Sequence, residues 1–98
     1  AERYIERAVG RMIDINYHML TESGQAPPPD YYQSFLQLAA LGVYAPEFAQ
    51  RIASCAGLRN RIAHEYDEID PRKLFEAVRQ AMDDVPEYLR QVDAWLGR

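Results

Sequence analysis

The sequence has one cysteine, no long apolar run and no excess of positive charge. Cys55 cannot form a disulfide within the chain, so the sequence is compatible with a reducing cytosol. No apolar run approaches the roughly 20 residues that a membrane span needs, and the charged N-terminal stretch does not have the pattern of a signal peptide. These absences predict a cytoplasmic protein that has no membrane partner.

The net charge of −4 argues against a generic nucleic-acid-binding protein, which usually presents a basic face. Charge is nevertheless segregated along the chain, because three arginines precede four acids: Arg51, Arg59 and Arg61, then Glu65, Asp67, Glu68 and Asp70. An anion is therefore expected to bind to the arginine-bearing part of the chain.

The length of the chain, 98 residues, predicts a single domain over 1–98, whose small core would benefit from oligomerisation.

Apolar residues that recur at steps of three and four predict helices, and no segment alternates with period two for long enough to be a strand. The first predicted helix covers residues 2–22 and stops before Gly24. The second covers 31–41, starts after an Asp30 cap and ends at Gly42. The expected fold class is therefore all-α, a small antiparallel helical bundle with short loops.

Prolines mark the two remaining predicted helices. Pro46 suits the first turn of the third helix, which is expected to run to about His64 or Tyr66. Asp70 followed by Pro71 is a strong start for the fourth helix, and Pro86 is expected to kink or break it near Met82. Eight apolar residues form the predicted inner stripe of this helix: Leu74, Phe75, Val78, Met82, Val85, Leu89, Val92 and Leu96.

The stretch "GLRNRIAHEYDEID" at 57–70 contains the candidate functional residues. A lone histidine near a helix end is most often structural, and a lone arginine is usually a surface charge. Together, His64 can handle protons near neutral pH and Arg59 can stabilise charge on a phosphate. This pair suits a metal-independent cleavage of a phosphodiester that a 2′-hydroxyl attacks. The chain has only two histidines, and the acids lack recognisable ligand spacing, so no metal or cofactor is expected.

Helical geometry constrains this interpretation. Arg59 and His64 are five positions apart, so on a regular helix they point about 140° away from each other. Two arrangements bring them to one phosphate: the helix distorts before His64, or two copies of the motif meet across a two-fold axis.

The segment "RNRIAHEY" fits an R-x4-H-x-Y motif whose fixed positions are Arg59, His64 and Tyr66. With its flanks, from "PPPDYYQSFLQLAALGVYAPEFAQ" onward, the chain resembles the HepT-like toxins of the HEPN superfamily. The resemblance covers nearly the whole chain. Relative to such proteins, the chain is expected to begin within what would be their second helix, so that an N-terminal helix would be lacking.

The resemblance implies a homodimeric helical bundle that acts as a ribonuclease toxin, with two motifs lining a cleft at the dimer interface. The substrate would be RNA, often tRNA, and the partner an MntA-type nucleotidyltransferase antitoxin that transfers AMP to the motif tyrosine. Carried over to this sequence, Arg59 and His64 would be catalytic, Asn60 and Arg61 would bind the phosphate or RNA, and Tyr66 would be modified.

Two alternatives use the same residues. The motif would serve equally well as a nucleotide or phosphate contact in a non-catalytic accessory subunit of a nucleotidyltransferase. In the other alternative, Arg59 simply pairs with Asp67 or Glu68 on the surface of a helical dimer. Exposed pairs of that kind contribute roughly 0–1 kcal/mol, which is little reason to assemble the group.

Overall fold

The computed structural model describes the backbone of residues 2–65, 68 and 70–97, with the side chains of these residues except at positions 2, 59, 60 and 62–65. Across these residues it contains four α-helices and no strand: α1 (Glu2–Glu22), α2 (Tyr31–Leu41), α3 (Pro46–Glu65) and α4 (Pro71–Leu96). The all-α class and the four helices are as predicted. None of the described helices is long and apolar enough to cross a membrane.

Local signals in the sequence set the helix boundaries. The Asp30 carboxylate accepts a hydrogen bond from the Gln33 N–H at 2.8 Å, and Asp70 accepts one from Arg72 at 2.9 Å. Gly24 and Gly42 have φ angles of 77° and 94°, which an L side chain rarely adopts. At Gly42, the N–H groups of this glycine and the next residue bond back into the last turn of α2, so the helix ends in a Schellman motif.

The core lies where α1, α2 and α3 pack together and α4 closes one side. Its largest fully buried apolar side chains come from all four helices: Ile5, Val9, Met12, Leu20, Phe35, Leu38, Ile52, Leu58 and Tyr88. The Tyr88 ring packs edge-on against Phe35 at 6.0 Å between centroids, and is tilted against Tyr44 at the same distance. Aromatic pairs at these separations contribute beyond the area that they bury.

A buried polar cluster crosses the core and links three helices. The Tyr88 hydroxyl on α4 donates a hydrogen bond to Oδ1 of Asn16 on α1 and lies 3.2 Å from the carbonyl oxygen of Met12. Asn16 Nδ2 donates to Ser34 Oγ on α2 at 3.0 Å, and Ser34 Oγ donates to the carbonyl of Tyr31 at 2.6 Å. Because a buried polar group without a partner is costly, these bonds select one register of α1, α2 and α4.

The predicted inner stripe of α4 is partly wrong. Val85 and Val92 are buried, but four members of the stripe are exposed: Phe75 (66%), Met82 (50%), Leu89 (47%) and Leu96 (60%). The helix is rotated so that Ala81 and Tyr88 face the core, and the residues seven apart from Phe75 to Leu96 lie at the edge of that face. The periodicity indicated an apolar stripe correctly, but the stripe is wider than the buried surface.

Pro86 does not break α4, which continues from Pro71 to Leu96. Proline removes the N–H that would bond the carbonyl of Met82, a loss of about 3 kcal/mol in a helix interior. Pro86 itself is exposed, while Val85 and Tyr88 beside it are buried. Packing of these neighbours holds the helix together across the proline.

Candidate functional site

The predicted motif lies at the C-terminal end of α3. Positions 59, 60, 61 and 64 all belong to this helix, which continues as an α-helix to Glu65. Gly57 does not interrupt it. The side chains of Arg59, Asn60 and His64 lie outside the described residues, as does Tyr66, so their predicted roles remain predictions. The same applies to a pair between Arg59 and Asp67 or Glu68.

The continuity of α3 bears on how Arg59 and His64 reach one phosphate. The backbone is helical at every position from 59 to 65. Five residues of regular helix rotate a position by about 140°, so positions 59 and 64 occupy different sides of α3. Of the two arrangements that the sequence left open, a helix that distorts before position 64 is therefore disfavoured.

Arg61 is the one predicted site residue whose side chain the structure describes. It is exposed and lines a groove between α3 and α4 with a volume of about 140 Å³. The α3 side of this groove consists of Arg51, Ser54, Cys55, Leu58 and Arg61, at steps of three and four along one face. The α4 side consists of Ala77, Gln80, Ala81 and Asp84. Arg51 and Arg61 thus lie on the same groove, about 15 Å apart along the helix.

Arg51 is not a free cation, although the sequence placed it in a basic group. Its Nη2 and Nε atoms lie 2.9 and 3.4 Å from the two carboxylate oxygens of Asp84, and the guanidinium lies 5.4 Å from the centre of the Phe48 ring. The hydrogen bond to Asp84 and the charge of that carboxylate raise the pKa of Arg51. Only 57% of the Arg51 side chain is exposed. Asp84 therefore offsets much of the positive charge at this end of the groove.

Asp84 is a polar group in the buried face of α4. It is 2% exposed and also accepts a hydrogen bond from Gln80 Nε2 at 3.2 Å. The sequence did not identify Asp84 or Gln80 as candidate site residues. The available signal was a carboxylate one position before Val85 on the apolar side of the helix, because acids are seldom fully buried without a partner.

Cys55 lies on the groove but is poorly suited to nucleophilic chemistry. The thiol is half-buried, and burial raises its pKa to about 11, with the nearby Asp84 charge adding to the shift. Only the thiolate is strongly nucleophilic, and at neutral pH this thiol is almost entirely protonated. The described residues also contain no group of three His, Cys, Asp or Glu side chains that would hold a metal ion.

These observations define a class of protein: all-α bundles that carry an R-x4-H-x-Y motif at the end of the third helix. In this chain the motif lies beside a groove lined by two arginines. Residues 1–92 match the family model described as Ribonuclease HepT-like. The chain therefore belongs to the HepT-like family, as the resemblance of its motif and flanks predicted.

Two curated proteins are similar to this chain. It is 37% identical over 95 residues to a "tRNA nuclease HepT" of Aphanizomenon flos-aquae, an alignment that covers 97% of this chain and 65% of that protein. It is 25% identical over 81 residues to a "Putative RNase" of Archaeoglobus fulgidus, covering 83% of this chain and 61% of that protein. The chain thus spans somewhat less than two thirds of the length of these relatives.

Proposed function

We propose that this protein is a ribonuclease toxin that cuts RNA, with tRNA as a candidate substrate, at a site shared by two copies of the chain. Arg59 and His64 are its catalytic residues, and Asn60 and Arg61 bind the RNA backbone. The observation that carries the proposal is the family match over residues 1–92, a range that contains the whole motif. The names of the two similar proteins, a tRNA nuclease and a putative RNase, support the same activity.

The proposed reaction is a transfer of the phosphoryl group to the adjacent ribose hydroxyl. His64 accepts the proton of the 2′-hydroxyl, and the 2′-oxygen attacks phosphorus to form a 2′,3′-cyclic phosphate. The bond from phosphorus to the 5′-oxygen breaks, and that oxygen leaves with a proton from a histidine in its acid form. Arg59 stabilises the charge that develops on the phosphate oxygens. The proton and charge requirements are met without a metal ion.

A two-fold dimer can bring a guanidinium and an imidazole to one phosphate, which a single copy of α3 does not readily do. Because positions 59 and 64 occupy different sides of one continuous helix, a guanidinium and an imidazole from different copies can approach one phosphate from two directions. Two copies also supply two imidazoles, which permits one to act as base while the other acts as acid. The reaction's geometry and the small size of the chain both support the proposed dimer.

Incubation of the purified protein with RNA and excess chelator tests this function. We expect endonucleolytic fragments that end in 2′,3′-cyclic phosphate, because the proposed reaction needs no metal ion. Mapping the fragment ends by mass spectrometry checks the chemistry. Tight binding of RNA or nucleotide without any fragments would contradict the proposal and favour the accessory-subunit alternative.

Tyr66 is the proposed point of control. A nucleotidyltransferase antitoxin of the MntA type would transfer AMP from ATP to this tyrosine, whose oxygen attacks the α-phosphorus as pyrophosphate leaves and the phenolic proton is released. The added phosphate places a covalent anion beside the arginines of the motif. Such an anion blocks RNA by both charge and bulk, as phosphorylation does at other arginine sites.

Modification of Tyr66 is measurable by intact mass. With the partner nucleotidyltransferase and ATP, we expect the mass of the chain to rise by whole AMP units and RNA cleavage to fall in parallel. The Tyr66→Phe variant should gain no mass and should keep its activity in the presence of the partner. Tyr32→Phe, which removes an exposed hydroxyl on α2, is the matched control and should be modified normally. A mass gain in Tyr66→Phe would place the modification elsewhere.

A further inference from the structure

The groove between α3 and α4 is lined in part by polar and charged residues that the packing of these two helices does not require. Small or buried residues form its floor: Cys55, Leu58, Ala77 and Ala81. The two arginines lie at its ends, and Ser54 and Gln80 add a hydroxyl and an amide along its edges. The alanines keep this space open, because larger apolar residues at positions 77 and 81 would fill it.

At one end of the groove, the buried carboxylate of Asp84 forms an ion pair with Arg51. Asp84 binds the Arg51 guanidinium through two of its nitrogens and also accepts a hydrogen bond from the Gln80 amide. A charge-assisted fork of this kind restricts both partners. Arg51 and Gln80 therefore meet a ligand with little further loss of side-chain freedom, which favours binding.

The charge of the groove favours an anion at its other end. Arg51 and Asp84 offset each other, so the lining is left with the charge of Arg61. Glu87, which follows Asp84 on α4, is paired with Arg90 at 2.6 Å. Within the described part of the chain, Arg61 is exposed and forms no ion pair or hydrogen bond with another side chain.

An apolar floor, an amide on the rim and a cation at the end match the three parts of a nucleotide. A base can pack against apolar side chains, its edge bonds an amide, and its phosphate binds arginine. Position 61 precedes position 64 by three residues of helix, or about 4.5 Å along the axis. A nucleotide held at Arg61 would therefore lie next to the position where His64 acts.

We propose that the α3–α4 groove is a nucleotide subsite that holds an RNA residue adjacent to the cleaved bond, its base over Ala77 and Ala81 and its phosphate on Arg61. This inference rests on the proposed ribonuclease function. It extends that function by assigning Ala77, Gln80 and the Arg51–Asp84 pair to substrate binding, and these residues lie outside the motif in the sequence.

The test measures RNA affinity in a His64→Ala background with chelator, so that the RNA stays intact. The probe is a fluorescein-labelled single-stranded RNA of mixed sequence, followed by anisotropy. Arg61→Gln, Gln80→Leu and the groove-filling Ala77→Leu should each weaken binding by about fivefold or more. Arg61→Gln should also lower the slope of log affinity against log salt by about 0.7, whereas Ala77→Leu should leave it unchanged.

Matched controls come from exposed positions of α4 outside the groove. Arg79→Gln removes the same charge as Arg61→Gln, and Ala94→Leu adds the same bulk as Ala77→Leu. Both should bind the RNA within about twofold of the parent. Circular dichroism and thermal melting establish that each variant is folded, and Gln80→Leu, at an exposed position, keeps the test valid if Ala77→Leu does not fold.

Each outcome separates this inference from the proposed function. If wild-type protein cuts RNA but the groove variants bind RNA like the parent, the subsite is wrong and the ribonuclease stands. If groove variants lose RNA affinity but the wild type cuts nothing, the groove stands as an RNA-binding site and the ribonuclease falls. If the parent binds no RNA and the wild type cuts none, both are wrong. If Ala77→Leu and Gln80→Leu reduce self-association in sedimentation instead of RNA affinity, the groove is an interface between copies.

Discussion

Replacing His64 with alanine is expected to abolish RNA cleavage by a protein that remains folded. General acid–base catalysis by a positioned side chain contributes about 10²–10⁴-fold to rate, and in a shared site the substitution removes both imidazoles at once. Alanine has the highest helix propensity, so the last turn of α3 should not be weakened. The measurement is the initial rate of fragment formation with chelator present, alongside circular dichroism and a thermal melt.

His18→Ala is the matched control for this experiment. His18 is the other histidine of the chain and lies exposed on α1, a different helix from the one that carries the motif. Its removal should leave the cleavage rate within about twofold of wild type, since exposed substitutions away from a site have small effects. Cleavage that persists in His64→Ala at the wild-type rate would show that His64 is not the proton-transfer group. Equal losses in both variants would point to a general defect in the folded protein.

Truncating Tyr88 is expected to have the largest effect on stability. The ring is fully buried between Phe35 and Tyr44, and its hydroxyl bonds Asn16 in the core. Removal of a buried aromatic ring typically costs about 3–5 kcal/mol, and a small domain has only about 5–15 kcal/mol in total. Tyr88→Ala should therefore lose a large share of its free energy of unfolding, which lowers both the urea midpoint and the melting temperature.

Tyr88→Phe isolates the hydroxyl. The ring packing stays, but Asn16 Oδ1 is left in the core without its donor, which costs about 1–3 kcal/mol. For a domain of this size the melting temperature should fall by at least about 4 °C. Tyr32→Phe, at an exposed position on α2, should melt like wild type. An unchanged melting temperature for Tyr88→Phe would mean that the cluster contributes nothing to stability.

The same residue gives the fold a dependence on alkaline pH. Burial raises the pKa of Tyr88 well above the ordinary tyrosine value of about 10, and burial does the same to Tyr44. Above pH 10 the unfolded chain releases these protons while the folded chain retains them. The free energy of unfolding therefore falls as pH rises past 10, and Tyr88→Phe should show a shallower loss than wild type.

Sequence reasoning succeeded where the determining interaction is local. Asp30 and Asp70 cap helices through bonds to the next two or three residues, and Gly42 ends α2 through its own backbone angle. Pro46 begins α3, as its missing N–H allows. Each signal needs only its neighbours in the chain, so it can be interpreted without knowledge of the fold.

It failed where the outcome depends on contacts between helices. The period of apolar residues along α4 does not reveal which part of a wide stripe faces the core, so Phe75 and Leu96 were wrongly assigned to the inside. Pro86 was expected to kink or break α4, and the helix does not break there. Val85 and Tyr88 on either side are buried, and this tertiary packing cannot be seen in the sequence. Asn16 and Ser34 gave no signal in the sequence, since their burial depends on each other and on Tyr88.

For the candidate site, the motif supplied residue identities and the helix supplied spacing. Arg59, His64 and Tyr66 were found because their types and intervals fit one pattern. The α4 side of the groove was missed, because Gln80 and Asp84 become relevant only when α4 packs beside Arg51 and Arg61. The arrangement of two copies is a further step that the residues of one chain do not determine.

The two described connections before α3 differ in a way that governs where the chain tolerates lengthening or nicking. Residues 23–27 are exposed, so an inserted segment there displaces only water. Val43 and Tyr44, between α2 and α3, are buried, and the Tyr44 hydroxyl bonds the carbonyl of Phe35 at 2.9 Å. An insertion at this second connection would pull two side chains out of the interior. Fusion tags, protease sites and new chain termini therefore belong at 23–27, where the polypeptide can be opened while α2 and α3 stay joined.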